Sequence, residues 1–247
     1  MAFLTKPLKK KGRWEPMAKT AFVAGADNAL GVRISSDLLK RGFFVFAAQI
    51  AGDTAALEAL ARQYPERLTV LSMDVTSLDS VEQAKEQVAE KADHIDLLVH
   101  NIDYIPKDSE RKITDGQNFD ELKKAYDINA LGPLRVTAAL IELLDKGELK
   151  RICTVSSVDA SINGSLETAN YGHAMAKAAL NMQMNILFNR LRPEGYTFRL
   201  YGLRGEDDGN FIVEYFLRDR SFEPHDPKHS DENRIVMRDR FGREIPW

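Results

Sequence analysis

Cysteine occurs once in 247 residues, so no disulfide can form within the chain and a disulfide-stapled scaffold is excluded. The lone thiol fits a reducing compartment, and cytoplasmic is the expected localisation. Long apolar runs are missing as well. None approaches the roughly 20 residues of a membrane-spanning helix, so no membrane contact is expected. Lysines and prolines interrupt the first residues, which argues against a secretory leader there. Neither sign of charge dominates: 34 basic residues face 37 acidic ones, a net of −3 that offers no global basic field to nucleic acid. Histidine is scarce too, and the pair His225 and His229 around Asp226 is interrupted by Pro224 and Pro227. A solvated loop is expected there, with no metal.

What is present suits one large core. Hydrophobic residues make up 44% of the chain and charged ones 29%. Residues 1–18 stand apart: Lys6, Lys9, Lys10, Lys11 and Arg13 face only Glu15, and this basic extension is expected to be disordered. From residue 19 to 247 the pattern reads as one domain. Short apolar runs at 20–24, 43–48, 68–73, 95–100, 149–155 and 197–201 read as strands buried on both faces. Helical stretches separate them, the longest over 171–192. Asp53 and Thr54 are candidate caps for the second helix. Strands alternating with helices predict an α/β fold, a Rossmann-type, doubly wound and mostly parallel sheet with helices on both faces. After residue 204 apolar content falls, leaving room for one helix, a loop and a last short strand.

Glycines 25 and 31 lie between the first strand and the first helix, where backbone amides can approach a pyrophosphate and the helix dipole favours negative charge. The stretch 24–31, A-G-A-D-N-A-L-G, resembles the T-G-x-x-x-G-I/L-G nucleotide loop of the short-chain dehydrogenase/reductase family. Gly25, Leu30 and Gly31 fit, while Ala24 and Ala29 depart and Asp27 adds a negative charge. Further matches follow in the family's order: Asp74-Val75-Thr76, then Leu98-Val99-His100-Asn101, where Ile102 and Asp103 replace the Ala-Gly of N-N-A-G. Asn129 in D-I-N-A-L-G, Val155-Ser156-Ser157 and Lys177-Ala178-Ala179-Leu180 complete the series. The ending G-R-E-I-P-W is similar to the C-factor and sniffer-type carbonyl reductase subgroup.

The resemblance implies an oxidoreductase using NAD or NADP on a carbonyl or alcohol. Its cofactor-binding positions would be Gly25, Asn28, Leu30, Gly31, Gln49, Asp74, Val75, Asn101 and Lys177; Gln49, ending the second strand, does not choose between the two cofactors. The catalytic set it implies is Asn129 as anchor of a water relay, Ser157 to polarise the carbonyl, and Lys177 to hold the ribose. Ser156 and Ser161 are alternatives to Ser157. Four residues before Lys177 the family carries tyrosine, and this chain has His173. Positions i and i+4 lie about 40° apart around a helix, so both face one cleft. Imidazole, with an ordinary pKa near 6.5, is a usable proton donor near neutrality. Tyr171, six residues before the lysine and about 240° around the axis, is the alternative donor. The family's Pro-Gly after the sixth strand is missing. A homodimer or homotetramer paired through the long helix is the expected assembly. The competing reading is a catalytically silent member that binds nucleotide or serves as a partner subunit.

Overall fold

The computed structural model describes residues 19–50, 54–205, 209–218 and 233–247. The basic extension, Asp53 and the histidines at 225 and 229 lie outside the described residues. Eight strands form one sheet in the order β3-β2-β1-β4-β5-β6-β7-β8. They are β1 (Thr20–Ala24), β2 (Phe44–Gln49), β3 (Leu68–Ser72), β4 (Leu97–His100), β5 (Arg151–Ser157), β6 (Thr197–Leu203), β7 (Met237–Arg238) and β8 (Glu244–Ile245). All neighbours are parallel except β7 and β8. The last short strand read from the sequence is therefore a two-stranded hairpin.

The central strands are buried on both faces because a helix layer covers each. Phe22, Phe46, Leu98, Ile152 and Leu200 face one cluster, packed with α3 (Leu78–Ala89), α5 (Gly132–Leu144) and α6 (Tyr171–Leu191). Val23, Val45, Val99, Cys153 and Tyr201 face the other, against α1 (Ala29–Lys40), α2 (Ala55–Gln63) and α7 (Ile212–Leu217). Two strand residues break the apolar pattern. Arg151 and Arg199, both nearly fully buried, donate to the carbonyls of Phe216 and Arg218 at the end of α7, where a helix leaves acceptors unsatisfied. Thr54 precedes α2 without a side-chain cap and instead donates to Glu58. No helix among the described residues is long and apolar enough to cross a membrane.

The helical stretch 119–145 divides into α4 (Phe119–Tyr126), a wider π turn over Asp127–Leu131, and α5. Pro133 has no N–H to give Asn129, and the Gly132 amide reaches back five residues to Asp127. This turn rotates Asn129 inward. Strand order reverses between β1 and β4, and their carboxyl ends form the crevice where ligands bind open α/β sheets.

His100 ends β4 fully enclosed, its Nε2 2.8 Å from Thr137 Oγ1. Burial, reinforced by the Lys177 charge, lowers its pKa from 6.5 to about 3. The unfolded chain therefore takes up this proton first as pH falls. The stability that neutral His100 contributes is complete above 6.5 and is lost as pH drops through 6.5 toward 3. Urea unfolding between about pH 7 and pH 4.5 should show the native midpoint dropping more steeply than that of His100→Asn, which carries no titrating group there. Parallel pH profiles would contradict this.

Candidate active site

The loop at the carboxyl end of β1 is shaped by close backbone approaches. Gly25 has φ +80°, and a Cβ there would lie 2.4 Å from the carbonyl oxygen of Asn101. A Cβ on Gly31 would meet the Gly25 carbonyl oxygen at 2.3 Å, so α1 can pack on the loop only without a side chain at that position. Asn28 caps α1: its Oδ1 accepts from the Gly31 amide at 2.8 Å. The amides of Ala29 and Leu30 have no partner among the described residues. Ala29, at the missing middle glycine, is exposed and points its methyl away from the core. Asp27 is turned aside; its Oδ2 accepts from the Ile50 amide at 3.0 Å, bracing the loop against β2.

The next contacts come from four successive residues after β4. Asn101 Nδ2 donates to the Gly25 carbonyl (2.7 Å) and to Asn28 Oδ1 (3.0 Å). The Ile102 carbonyl accepts from Lys177 Nζ at 2.8 Å. Asp103 Oδ1 lies 2.9 Å from His173 Nε2 and 3.0 Å from Lys177 Nζ. The Tyr104 amide donates to Asn129 Oδ1 (2.8 Å), and Asn129 Nδ2 returns a bond to the Tyr104 carbonyl (2.7 Å). Asn129 is thus fully buried and occupied by the backbone.

His173 and Lys177 occupy one face of α6, as their spacing predicts, and meet on a single carboxylate oxygen. Burial opposes ionisation of Asp103, but the Lys177 ammonium and the His173 hydrogen bond outweigh it and hold the carboxyl well below the usual carboxylate range. A carboxylate can only accept, so the imidazole proton sits on Nε2 and the buried Nδ1 is left without a partner. Lys177, 2% exposed, has three N–H groups and three acceptors: Asp103 Oδ1, the Ile102 carbonyl and the Val155 carbonyl at 3.3 Å. Asp103 was visible in the sequence only as a departure from a motif. Its partners are what make it part of the site.

The remaining candidates are spread around this cluster. Ser157 Oγ accepts from the Asp159 amide and donates to Asp159 Oδ2, both at 3.1 Å. Its two alternatives are engaged elsewhere: Ser156 donates to Asn181 at 2.7 Å and Ser161 to the Pro246 carbonyl. Tyr171 opens α6 after Asn170, which adopts the left-handed conformation at φ 53°. The three acceptors found for the Lys177 ammonium do not include Tyr171. Gln49 pairs with Ser72 across β2 and β3, half-buried at the crevice edge. Asp74 accepts from the Thr76 hydroxyl and amide, which lower its pKa, and buried Val75 supports Gly132. At the far side, the Pro246 and Trp247 carbonyls hold the loop between Ser157 and α6 through Ser161 and Asn163.

The profile of the short chain dehydrogenases matches residues 19–200. C-signal of Myxococcus xanthus is 32% identical over 138 residues, 53% of this chain and 81% of that protein. Estradiol 17-beta-dehydrogenase 2 of Mus musculus is 32% identical over 177 residues, 70% of this chain but 44% of its own length. Among solved structures, a protein from Burkholderia multivorans assigned to the short-chain dehydrogenase/reductases and solved with bound NADP superposes with TM-score 0.75. It is 25% identical, over 93% of this chain and all of that one. The NADPH-bound carbonyl reductase from chicken fatty liver superposes at 0.76 with 18% identity, over 94% of this chain and 96% of its own, and speaks for the fold alone. With the loop, the α6 lysine and the strand order all in the family's arrangement, the chain belongs to the short-chain dehydrogenase family of oxidoreductases.

Proposed function

We propose that this chain is a cytoplasmic NAD(P)-dependent oxidoreductase that acts on a carbonyl or alcohol through an altered site, with His173 where the family carries tyrosine. The observation that carries the reading is the convergence of the Gly25–Gly31 loop, Lys177 and His173 on the segment after β4, at the crevice between β1 and β4. The residues present fit a dinucleotide. The free amides of Ala29 and Leu30 suit a pyrophosphate at the start of α1, and a lysine ammonium lies further along the crevice. When bound, the nicotinamide supplies or accepts the hydride.

The chain's own residues would do the rest. Ser157 can rotate its hydroxyl hydrogen from Asp159 to a carbonyl oxygen while still accepting from the Asp159 amide. His173 holds a proton at Nε2 and is linked to the ammonium of Lys177 through Asp103 Oδ1, which both contact. Asn129 fastens the backbone at Tyr104 and so fixes the direction in which Asp103 leaves the segment. The second reading, a silent member of the fold, is favoured by one feature: all three Lys177 donors already have acceptors within the protein.

Titration with NAD(H) and NADP(H) should give saturable binding of at least one. Absence of binding of either at about millimolar concentration, the weak end of specific affinity, would overturn the reading. With a carbonyl substrate in hand, His173→Ala should lower kcat/KM by roughly 10² to 10⁴, the usual contribution of one acid–base group. Tyr171→Phe should leave it unchanged. Loss of turnover in the tyrosine variant with a silent His173→Ala would transfer the proton to Tyr171. Nucleotide binding without turnover of any carbonyl would favour the silent member.

For assembly we propose a homodimer or homotetramer. Met175, Met182 and Ile186 lie along one line of α6 and are each about 60% exposed, an apolar stripe on a helix whose other face is buried. Sedimentation at micromolar concentration should give at least a dimer, and Ile186→Glu should shift it toward monomer. A monomeric native chain refutes the proposal.

A further inference from the structure

Asp103 does more than pair with His173. Its Oδ1 takes one of the three Lys177 hydrogen bonds, and the other two go to the main-chain carbonyls of Ile102, just after β4, and Val155, within β5. Both carbonyls belong to main chain whose side chains are buried in the core, so neither can turn away. The ammonium is buried, so its stem cannot swing outward either. The carboxylate is the one mobile member of the set: its side chain is 39% exposed, it follows β4 outside any helix or strand, and its Oδ2 has no partner among the described residues. A hydroxyl arriving at Lys177 must therefore displace Asp103 or go without the ammonium. The same displacement would release His173 Nε2, the only partnered nitrogen of that ring.

We propose that Asp103 is the specificity-determining residue of the nucleotide site, an internal carboxylate that competes with the second ribose of a dinucleotide for Lys177. This rests on the nucleotide reading given above and adds a discrimination to it. The adenosine diphosphate half meets the loop at the start of α1, which Asp103 does not touch. The half beyond it must break a charge-assisted hydrogen bond before it can seat, and such bonds are roughly twice as strong as neutral ones. An incoming hydroxyl replaces a charged acceptor with a neutral one. The second half of the dinucleotide therefore contributes little to affinity in the native chain, and an adenine nucleotide lacking it binds nearly as well. The carboxyl stays ionised throughout the neutral range, so the competition is constant there.

The experiment is a calorimetric titration of the native chain and Asp103→Gly with NADPH, NADH and their adenosine halves, 2′-phospho-ADP and ADP. In the native chain the better dinucleotide should bind within about threefold of its own half, and in Asp103→Gly it should gain roughly tenfold or more, about 1.4 kcal/mol, while the half is unchanged. Asp103→Asn keeps the side-chain volume and removes the charge. It should show a gain in the same direction and serves if the glycine variant does not fold. A native preference of about tenfold for the dinucleotide over its half, or equal affinities in native and variant chains, overturns the proposal while leaving the nucleotide reading intact. If neither dinucleotides nor halves bind any of the chains, the nucleotide reading falls and this proposal with it.

Discussion

Four consecutive residues, 101–104, leave β4 without entering any regular element, and the crevice is held together through them. Backbone outside helices and strands must find partners for its donors and acceptors, and here the partners are the site itself. Asn101 ties the glycine loop, Ile102 and Asp103 tie α6, and Tyr104 ties the π turn. Three elements from distant parts of the chain are thereby fixed against one strand end. Since β4 is the central strand beside β1, the tie is anchored in the most deeply buried part of the sheet.

Lys177 explains why the arrangement is so closely packed. A buried ammonium is tolerated only when every N–H finds an acceptor, because the cost of removing it from water is large. The main-chain carbonyls of Ile102 and Val155 supply part of the need and the Asp103 carboxylate the rest. Asp103 thus has a structural reason to be where it is, whatever else it does. His173 shares the same oxygen, so imidazole, carboxylate and ammonium form one charge-balanced unit. Neighbouring His100 is kept neutral by the same burial and the same positive charge.

Much of the fold was legible because its signals are local. Strands such as Thr20–Ala24 and Thr197–Leu203 are apolar on both faces, which only a doubly covered sheet demands, and their bounds differ from the sequence reading by two residues or fewer for most elements. The i, i+4 relation of His173 and Lys177 was equally local and places both on one oxygen. Asp103 was not legible in this sense: a motif comparison registers what is missing at a position, whereas its role depends on two side chains 70 and 74 residues away. The direction of Asp27 was likewise hidden, since its partner, the Ile50 amide, belongs to the next strand end. The π turn escaped because Pro133 looks like an ordinary helix start. Its effect depends on the helix continuing through it from α4. The buried arginines of β5 and β6 argue against a core strand until the end of α7 is seen to need donors.

The separations in sequence carry a consequence for how the protein forms. Asn101 is bonded to Gly25 across 76 residues, and Lys177 to Ile102 across 75. No local segment contains even a partial version of the crevice, and each tie closes a long loop whose entropy is lost before the contact is made. Helices α1 and α6 can form early, but the ammonium of Lys177 has no complete acceptor set until β4 and β5 are side by side. Assembly of the site is therefore a late and cooperative step of folding, governed by the non-local pairing of parallel strands that slows such topologies. A nascent chain emerging residue by residue carries its glycine loop through most of synthesis without a site. The crevice comes into being only after α6 has brought residue 177 against the sheet.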